Sequence, residues 1–182
     1  MGTPKALLDF HGETFIARLT RVLGSHCDLV TVVLGHHADT LRPHIPNRAR
    51  VAVNPDPDRG QLSSLQSALI ELPPQVTGFA FLPVDCPAVA ESTVEQLAHA
   101  FAQRTTETMF VIPRKGDKRG HPVFAARAIA EELLALKPTD EARSIVHRYV
   151  PRTQYVDVLD SGIFADIDTP DAYRRLLEET RA

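Results

Sequence analysis

The sequence predicts a doubly wound α/β fold, with a mostly parallel sheet held in three layers. Short continuous apolar runs rich in β-branched residues, such as LVTVVL at Leu29 to Leu34, mark strands covered on both faces, as parallel strands are. Other segments carry apolar residues at helical spacing. The two kinds alternate along most of the chain, which implies right-handed crossovers. The 182 residues suit one domain of ordinary size, spanning 1–182.

Each element follows from its own pattern. Glu13 to Gly24 reads as a helix, because Phe15, Ile16, Leu19, Val22 and Leu23 fall on one face and Gly24 stands where a C-cap is expected. After the Leu29 strand comes a shorter one at Val51 to Val53, ended by NPDPDRG. Leu62 to Leu72 reads as a helix closed by Pro73-Pro74, and Phe79 to Val84 as the next buried strand. A helix over Ser92 to Gln103 and a strand at Met109 to Ile112 follow, then the polar loop PRKGDKRG and a brief extension at Pro122 to Ala125. Arg127 to Leu136 and Glu141 to Tyr149 look helical, and Tyr155 to Leu159 is a late strand. Asp171 to Glu179 ends the chain as a helix, with Thr169 as N-cap and Pro170 at the first helical position.

Composition narrows the function. With 43% hydrophobic and 24% charged residues the chain can build a full core and has no disorder signature. A formal charge of −3 argues against a surface for duplex nucleic acid, though not against a local basic pocket for a nucleotide. No apolar run approaches the roughly 20 residues of a membrane span, and no signal-peptide pattern appears. The two cysteines, Cys27 and Cys86, have no metal-ligand spacing, so a reduced, cytoplasmic protein is expected.

In open α/β sheets ligands sit outside the carboxyl ends of the strands. The loops to weigh are MGTPKALL (Met1 to Leu8), NPDPDRGQLSSL (Asn54 to Leu65), LPVDCPAV around Asp85, RGHPVF (Arg119 to Phe124) and FADIDTPDAY (Phe164 to Tyr173). Taken in this order they resemble the nucleotidyltransferases of the molybdenum-cofactor type, and most closely the molybdopterin cytidylyltransferase branch. The resemblance runs from Met1 almost to the C-terminus. It implies a Rossmann-like fold, Mg²⁺ as cofactor, and transfer of CMP from CTP to a molybdopterin-like acceptor with release of pyrophosphate. A molybdoenzyme or its chaperone is the partner such an enzyme implies.

The residue chemistry suits that reaction. Both reactants are phosphate anions, so the site must neutralise charge and hold them in line. Mg²⁺ normally takes one or two carboxylates plus phosphates and water. Asp85 and either Asp166 or Asp168 meet that need. The alternation of ADIDT turns both later acids to one side of an extended segment, and the family position favours Asp168. Lys5 offers a point charge for the triphosphate, and the resemblance sets it beside the β- and γ-phosphates. Gly60, Ser63 and Ser64 open a helix whose free N–H groups can bind an anion or a base edge. Arg119, with Lys118 beside it, is placed to meet the acceptor phosphate, and His121 resembles a position lining the acceptor side.

Plainer readings stand beside these. Asp85 can be a strand-ending turn residue. Asp166 and Asp168 can simply precede a helix whose N-terminus favours acids, and Ser63 and Ser64 can be caps. His36-His37 has no ligand partner at metal spacing, and Cys86 has no evident base. The resembled family opens with a strand and a glycine-rich loop of the form LAAGxSxRMGxxK, whereas this chain starts at the Met-Gly of that pattern. The expectation is an N-terminally shortened chain, its first strand and phosphate loop missing, with unpaired edges inside the sheet and weak catalysis. Guanylyl transfer to the same cofactor is the nearest rival. Sugar-phosphate nucleotidyl transfer is more distant, and a catalytically silent nucleotide-binding remnant is the rival of a different class.

Overall fold

The computed structural model describes residues 3–180, so Met1 and Gly2 of the first motif lie outside the described residues. A short antiparallel hairpin comes first, β1 (Asp9–Phe10) with β2 (Glu13–Thr14). His11 and Gly12 turn it at φ 55° and 88°, the left-handed pair that a two-residue hairpin loop needs. Helix α1 (Phe15–Gly24) therefore starts after Thr14, whose hydroxyl accepts the Ala17 N–H at 3.3 Å. The remaining elements are β3 (Thr31–Leu34), α2 (Ala38–Leu41), β4 (Arg50–Val53), α3 (Gln61–Ile70), β5 (Gly78–Phe81), α4 (Glu91–Ala102), β6 (Phe110–Lys115), β7 (Lys118–Arg119), β8 (Val123–Ala126), α5 (Ala128–Leu134), α6 (Ala142–Arg148), β9 (Thr153–Asp157) and α7 (Pro170–Glu179); α2 has no counterpart in the sequence pattern and β7 falls in its polar loop, while the others keep the expected order with shifted boundaries. The Thr169 hydroxyl caps α7 by accepting the Ala172 N–H at 3.1 Å, as its sequence predicts.

The three layers are visible in the alternation of β6. Phe110 and Ile112 face a core built with α3 and α5, including Leu69, Ile129 and Leu133. Val111 faces the opposite core, built with α1 and α4, including Val22, Val94 and Leu97. A third, smaller core joins Phe10, Phe15, Ile167 and Leu176, which docks α7 beside the hairpin.

The pairing is more mixed than the alternation of strands and helices implies. β3 pairs with β4 in parallel, and β6 with β9 in parallel. The contacts of β5 with β8, β6 with β8 and β6 with β7 are antiparallel. The cause is local. β6 turns straight into β7 around Gly116 (φ 59°), and β8 follows after Gly120–Pro122, so no crossover helix intervenes to restore a parallel direction. The return strand β8 lies between β5 and β6 in the five-stranded sheet.

β3 and β4 form a separate two-stranded block. Among the described residues no strand joins β3 to β5, and a cavity of about 950 Å³ lies between them. This is why β5 and most of β3, whose apolar runs predict burial on both faces, are only half-buried. Among the described residues no helix is long and apolar enough to cross a membrane.

Asp160 fastens two loops that shape the carboxyl-end face. One of its oxygens accepts the Ala90 N–H and the Thr93 hydroxyl, each at 2.8 Å, at the start of α4. The other accepts the Gly162 N–H at 2.7 Å. Asp160→Ala is expected to lower stability by about 1–3 kcal/mol, because it leaves partly buried donors unmatched. Urea denaturation checks this, and an unchanged midpoint would remove Asp160 from that role.

Candidate active site

The loop after β5 and the segment before α7 meet through the main chain. The Ile167 N–H donates to the Asp85 carbonyl at 3.1 Å. Ile167 itself is 4% exposed, packed with Phe10, Phe15 and Leu176. With alternate side chains on opposite sides of an extended stretch, burying Ile167 sends both Asp166 and Asp168 outward. Asp85 stands between Val84 and Ala88, which pack against the same core, and the buried Cys86. Arg18 of α1 holds this loop from behind, donating to the carbonyls of Pro87 at 2.8 Å and Val89 at 3.3 Å.

The result is a trio of carboxylates. Asp85, Asp166 and Asp168 each offer an oxygen within 4.8 Å of the others. Lys5 joins them through an ion pair with Asp168. Four of the sequence-predicted residues thus converge from loops far apart in the chain. The charges respond as such crowding requires. Burial, then the neighbouring Asp85 and Asp168 charges, push the Asp166 carboxyl above its ordinary range. The hydrogen bond and charge of Lys5 hold Asp168 below it. An all-oxygen, anionic donor set of this kind fits a hard divalent cation and relieves its own repulsion by binding one. Both Asp166 and Asp168 belong to the set, where the sequence alone leaves a choice between them.

His121 lies at the edge of this cluster. Its backbone N–H donates to the Ile163 carbonyl at 3.0 Å, and its ring meets the edge of Phe81 at 5.8 Å. Burial lowers its pKa below the usual imidazole range, against the pull of the Phe81 carbonyl and the Asp85 charge. Its Nδ1 is buried without a protein partner. The contact with Ile163 depends on Gly120, where a Cβ would stand 2.2 Å from the Ile163 carbonyl oxygen. Gly162 is as tightly placed, 2.2 Å from the Ala88 carbonyl oxygen by the same construction. Arg119 is exposed, its guanidinium 4.7 Å above the Tyr155 ring, which fixes a cation near His121 by stacking.

The GQLSSL residues form a second cluster. Gly60 precedes α3 at φ 83°. The Ser63 side chain is committed internally: it accepts from the Asn54 amide at 2.8 Å and donates toward the carbonyls of Gly60 and Asp56 at 2.7 and 3.2 Å. Ser64 also accepts from Asn54, at 3.1 Å, and the Asn54 oxygen accepts the Asp56 N–H at 3.0 Å. Asn54, 4% exposed, is the organiser of this loop. Sequence reading passes over it, although an asparagine at a strand end followed by proline is a turn signal. No hydrogen bond or ion pair among the described residues links this cluster to the carboxylates. Burial, then Asp85, push the Cys86 thiol up to about 12, which disfavours the thiolate that a nucleophile needs. Among the described residues the ion-pair partner of His36 is Asp58, at 3.1 Å and exposed.

A three-layer α/β fold with carboxylates and a lysine gathered at strand carboxyl ends has the architecture of a nucleotidyltransferase. Comparison with known proteins agrees, and the chain belongs to the MobA-like NTP transferase domain family, which matches residues 1–153. It is similar to Rv0371c from Mycobacterium tuberculosis H37Rv, with a TM-score of 0.83 and 29% identity, covering 98% of this chain and 90% of that one. A manganese complex of Rv0371c superposes with a TM-score of 0.79 at 27% identity, covering 96% and 91%. A molybdenum cofactor guanylyltransferase of Vibrio vulnificus (strain YJ016) is 29% identical over 115 residues, 62% of this chain. The match spans only 56% of that protein's length.

Two outcomes follow from the charges. In Lys5→Ala the carboxylates lose their nearby cation, so affinity for Mn²⁺ alone should rise about threefold while NTP affinity falls. Calorimetric titration with each ligand checks both, and unchanged NTP affinity contradicts the assignment of Lys5. The depressed pKa of His121 means that unfolding lets it take up a proton at mildly acid pH. Its contribution to stability is complete above the unfolded imidazole value of about 6.5 and is lost as pH falls from there through the folded value. His121→Gln should flatten that limb of the stability–pH curve, and an identical curve refutes the assignment.

Proposed function

We propose that the protein is a Mg²⁺-dependent nucleotidyltransferase that moves a nucleoside monophosphate from an NTP to the phosphate of a molybdopterin-type cofactor. The observation that carries the reading is the convergence of Asp85, Asp166, Asp168 and Lys5 in a chain of the NTP transferase family. Mg²⁺ held by the three carboxylates would neutralise phosphate oxygens and stabilise charge as it develops around the α-phosphorus.

The chain's own groups do the rest. An acceptor phosphate oxygen attacks the α-phosphorus as the bond to the bridging oxygen of the β-phosphate breaks, and pyrophosphate leaves with the bonding pair. Lys5 leaves Asp168 for the β- and γ-phosphates, so its charge sits where the leaving group becomes more negative. Arg119, braced on Tyr155, is the candidate for the acceptor phosphate. His121, neutral through burial, presents an imidazole beside Asp85 without adding a proton to titrate at neutral pH. Asn54 shapes the Gly60 to Ser64 turn against which the base is expected to rest.

CTP is the donor that GQLSSL and GHPVF support. The guanylyltransferase name of the Vibrio relative favours GTP as a second reading. Pyrophosphate release is measured with molybdopterin and each NTP in turn. Release with CTP supports the first reading and release with GTP alone the second. No release with any NTP, alongside retained nucleotide binding, makes the protein a silent binder. Asp85→Asn should cut turnover by about 10²-fold or more with the melting temperature unchanged, and a near-normal rate removes Asp85 from the site.

A further inference from the structure

We propose that Arg18 is a positioning residue for the carboxylate trio: it fixes the main chain beyond Asp85, sets the gap between that acid and Asp166 with Asp168, and so selects a small cation over a larger one. The inference rests on the reading of these three acids as holders of a divalent cation. The Asp85 carboxylate has little to hold it directly. Among the described residues its one side-chain hydrogen bond comes from the Cys86 thiol, at 3.8 Å, and a thiol is a weak donor. Its position is therefore that of its backbone. Asp166 and Asp168 are placed differently, since the buried Ile167 between them fixes both. The width of the trio is set by how the segment from Asp85 to Ala90 lies against the segment that carries Ile167.

That first segment is tied at nearly every peptide. The Asp85 carbonyl accepts the Ile167 N–H at 3.1 Å. Arg18 Nε donates to the Pro87 carbonyl at 2.8 Å, and its Nη2 to the Val89 carbonyl at 3.3 Å. The Ala88 carbonyl is pressed against Gly162, where a Cβ would stand 2.2 Å from its oxygen. The Ala90 N–H donates to Asp160 at 2.8 Å. Two of these ties belong to one guanidinium. The same guanidinium lies 4.9 Å from the centroid of the Phe10 ring, and Phe10 packs in the core that receives Ile167. Arg18 thus joins the support of Asp85 to the support of Asp166 and Asp168, while its hydrogen bonds go to main-chain carbonyls. Charge pairing does not explain its place. The nearby Glu13 and Glu91 pair with Arg21 instead, and burial, then the like charge of Arg21, pull the Arg18 pKa down. Methionine would fill the space without that desolvation. What arginine alone supplies is a planar fork that spans two carbonyls.

Mg²⁺ demands a tight octahedron with oxygens at about 2.0–2.1 Å, whereas Ca²⁺ accepts looser sets at about 2.3–2.6 Å. Loosening the Asp85 segment should therefore weaken Mg²⁺ binding and spare Ca²⁺. The test titrates Mg²⁺ or Ca²⁺ against bound Mn²⁺ on the whole chain without nucleotide, with free Mn²⁺ read by electron paramagnetic resonance. Arg18→Met keeps the length of the side chain and loses the fork. It should lower the preference for Mg²⁺ over Ca²⁺ by about tenfold. Arg18→Lys, with one nitrogen for two carbonyls, should lower it by about threefold. If the methionine variant is unfolded by circular dichroism, the lysine variant decides. An unchanged preference in a folded variant overturns the proposal. Equal weakening of both ions also overturns it, because that is the mark of a merely structural residue. Wild-type protein without a preference does the same. If Asp85→Asn leaves Mn²⁺ affinity unchanged, the trio holds no cation and the catalytic reading falls together with this one. If Asp85→Asn weakens Mn²⁺ while Arg18→Met keeps the preference, only the role of Arg18 is refuted.

Discussion

The site depends on one main-chain bond and one buried side chain. The Ile167 N–H on the Asp85 carbonyl joins two loops separated by most of the C-terminal half of the chain, and the Ile167 side chain pins the join to the core of Phe10, Phe15 and Leu176. Carboxylates do not assemble by their own attraction, since each repels the others. Here a buried apolar residue supplies the driving force, and the acids on either side of it are carried to the surface together. The raised Asp166 and lowered Asp168 are the electrostatic record of that enforced proximity.

Around this join the structure adds braces with no charge chemistry of their own. Arg18 grips the carbonyls behind Asp85, Asp160 ties the start of α4 to the 161–164 turn, and Gly120 and Gly162 allow loops to pass at main-chain contact distance. These residues make the carboxyl-end face a rigid surface rather than a set of independent loops. A charge cluster held by packing would lose little on binding a cation and a triphosphate, because its orientation is already set. Lys5 differs: its partner Asp168 is exposed, so it can exchange that partner for a phosphate at small cost.

The cavity of about 950 Å³ and the charged cluster are different places. The cavity lies between two sheet blocks and exposes backbone edges, whereas the carboxylates stand beyond the end of β5. They share β5, since Gly78 and Ala80 line the cavity while the chain past Phe81 leads to Asp85.

Local pattern alone determined much of this protein. Most helices and strands, the Thr169 cap, and Lys5, Asp85, Asp166 and Asp168 as residues to bring together at strand ends were legible, because periodicity and residue type report local geometry and chemistry. The hairpin at Asp9 to Thr14 was hidden, since its four strand residues are too few to show a period. The mixed pairing of β6, β7 and β8 was hidden too, because a polar loop and a brief extension after it carry no sign of strand direction. Tertiary structure decided the rest. It made both Asp166 and Asp168 members of one cluster, committed Ser63 to Asn54, and gave Asn54, Arg18 and Asp160 their roles. Those depend on distances between segments remote in the chain, which are fixed by packing and backbone hydrogen bonds that no local window contains.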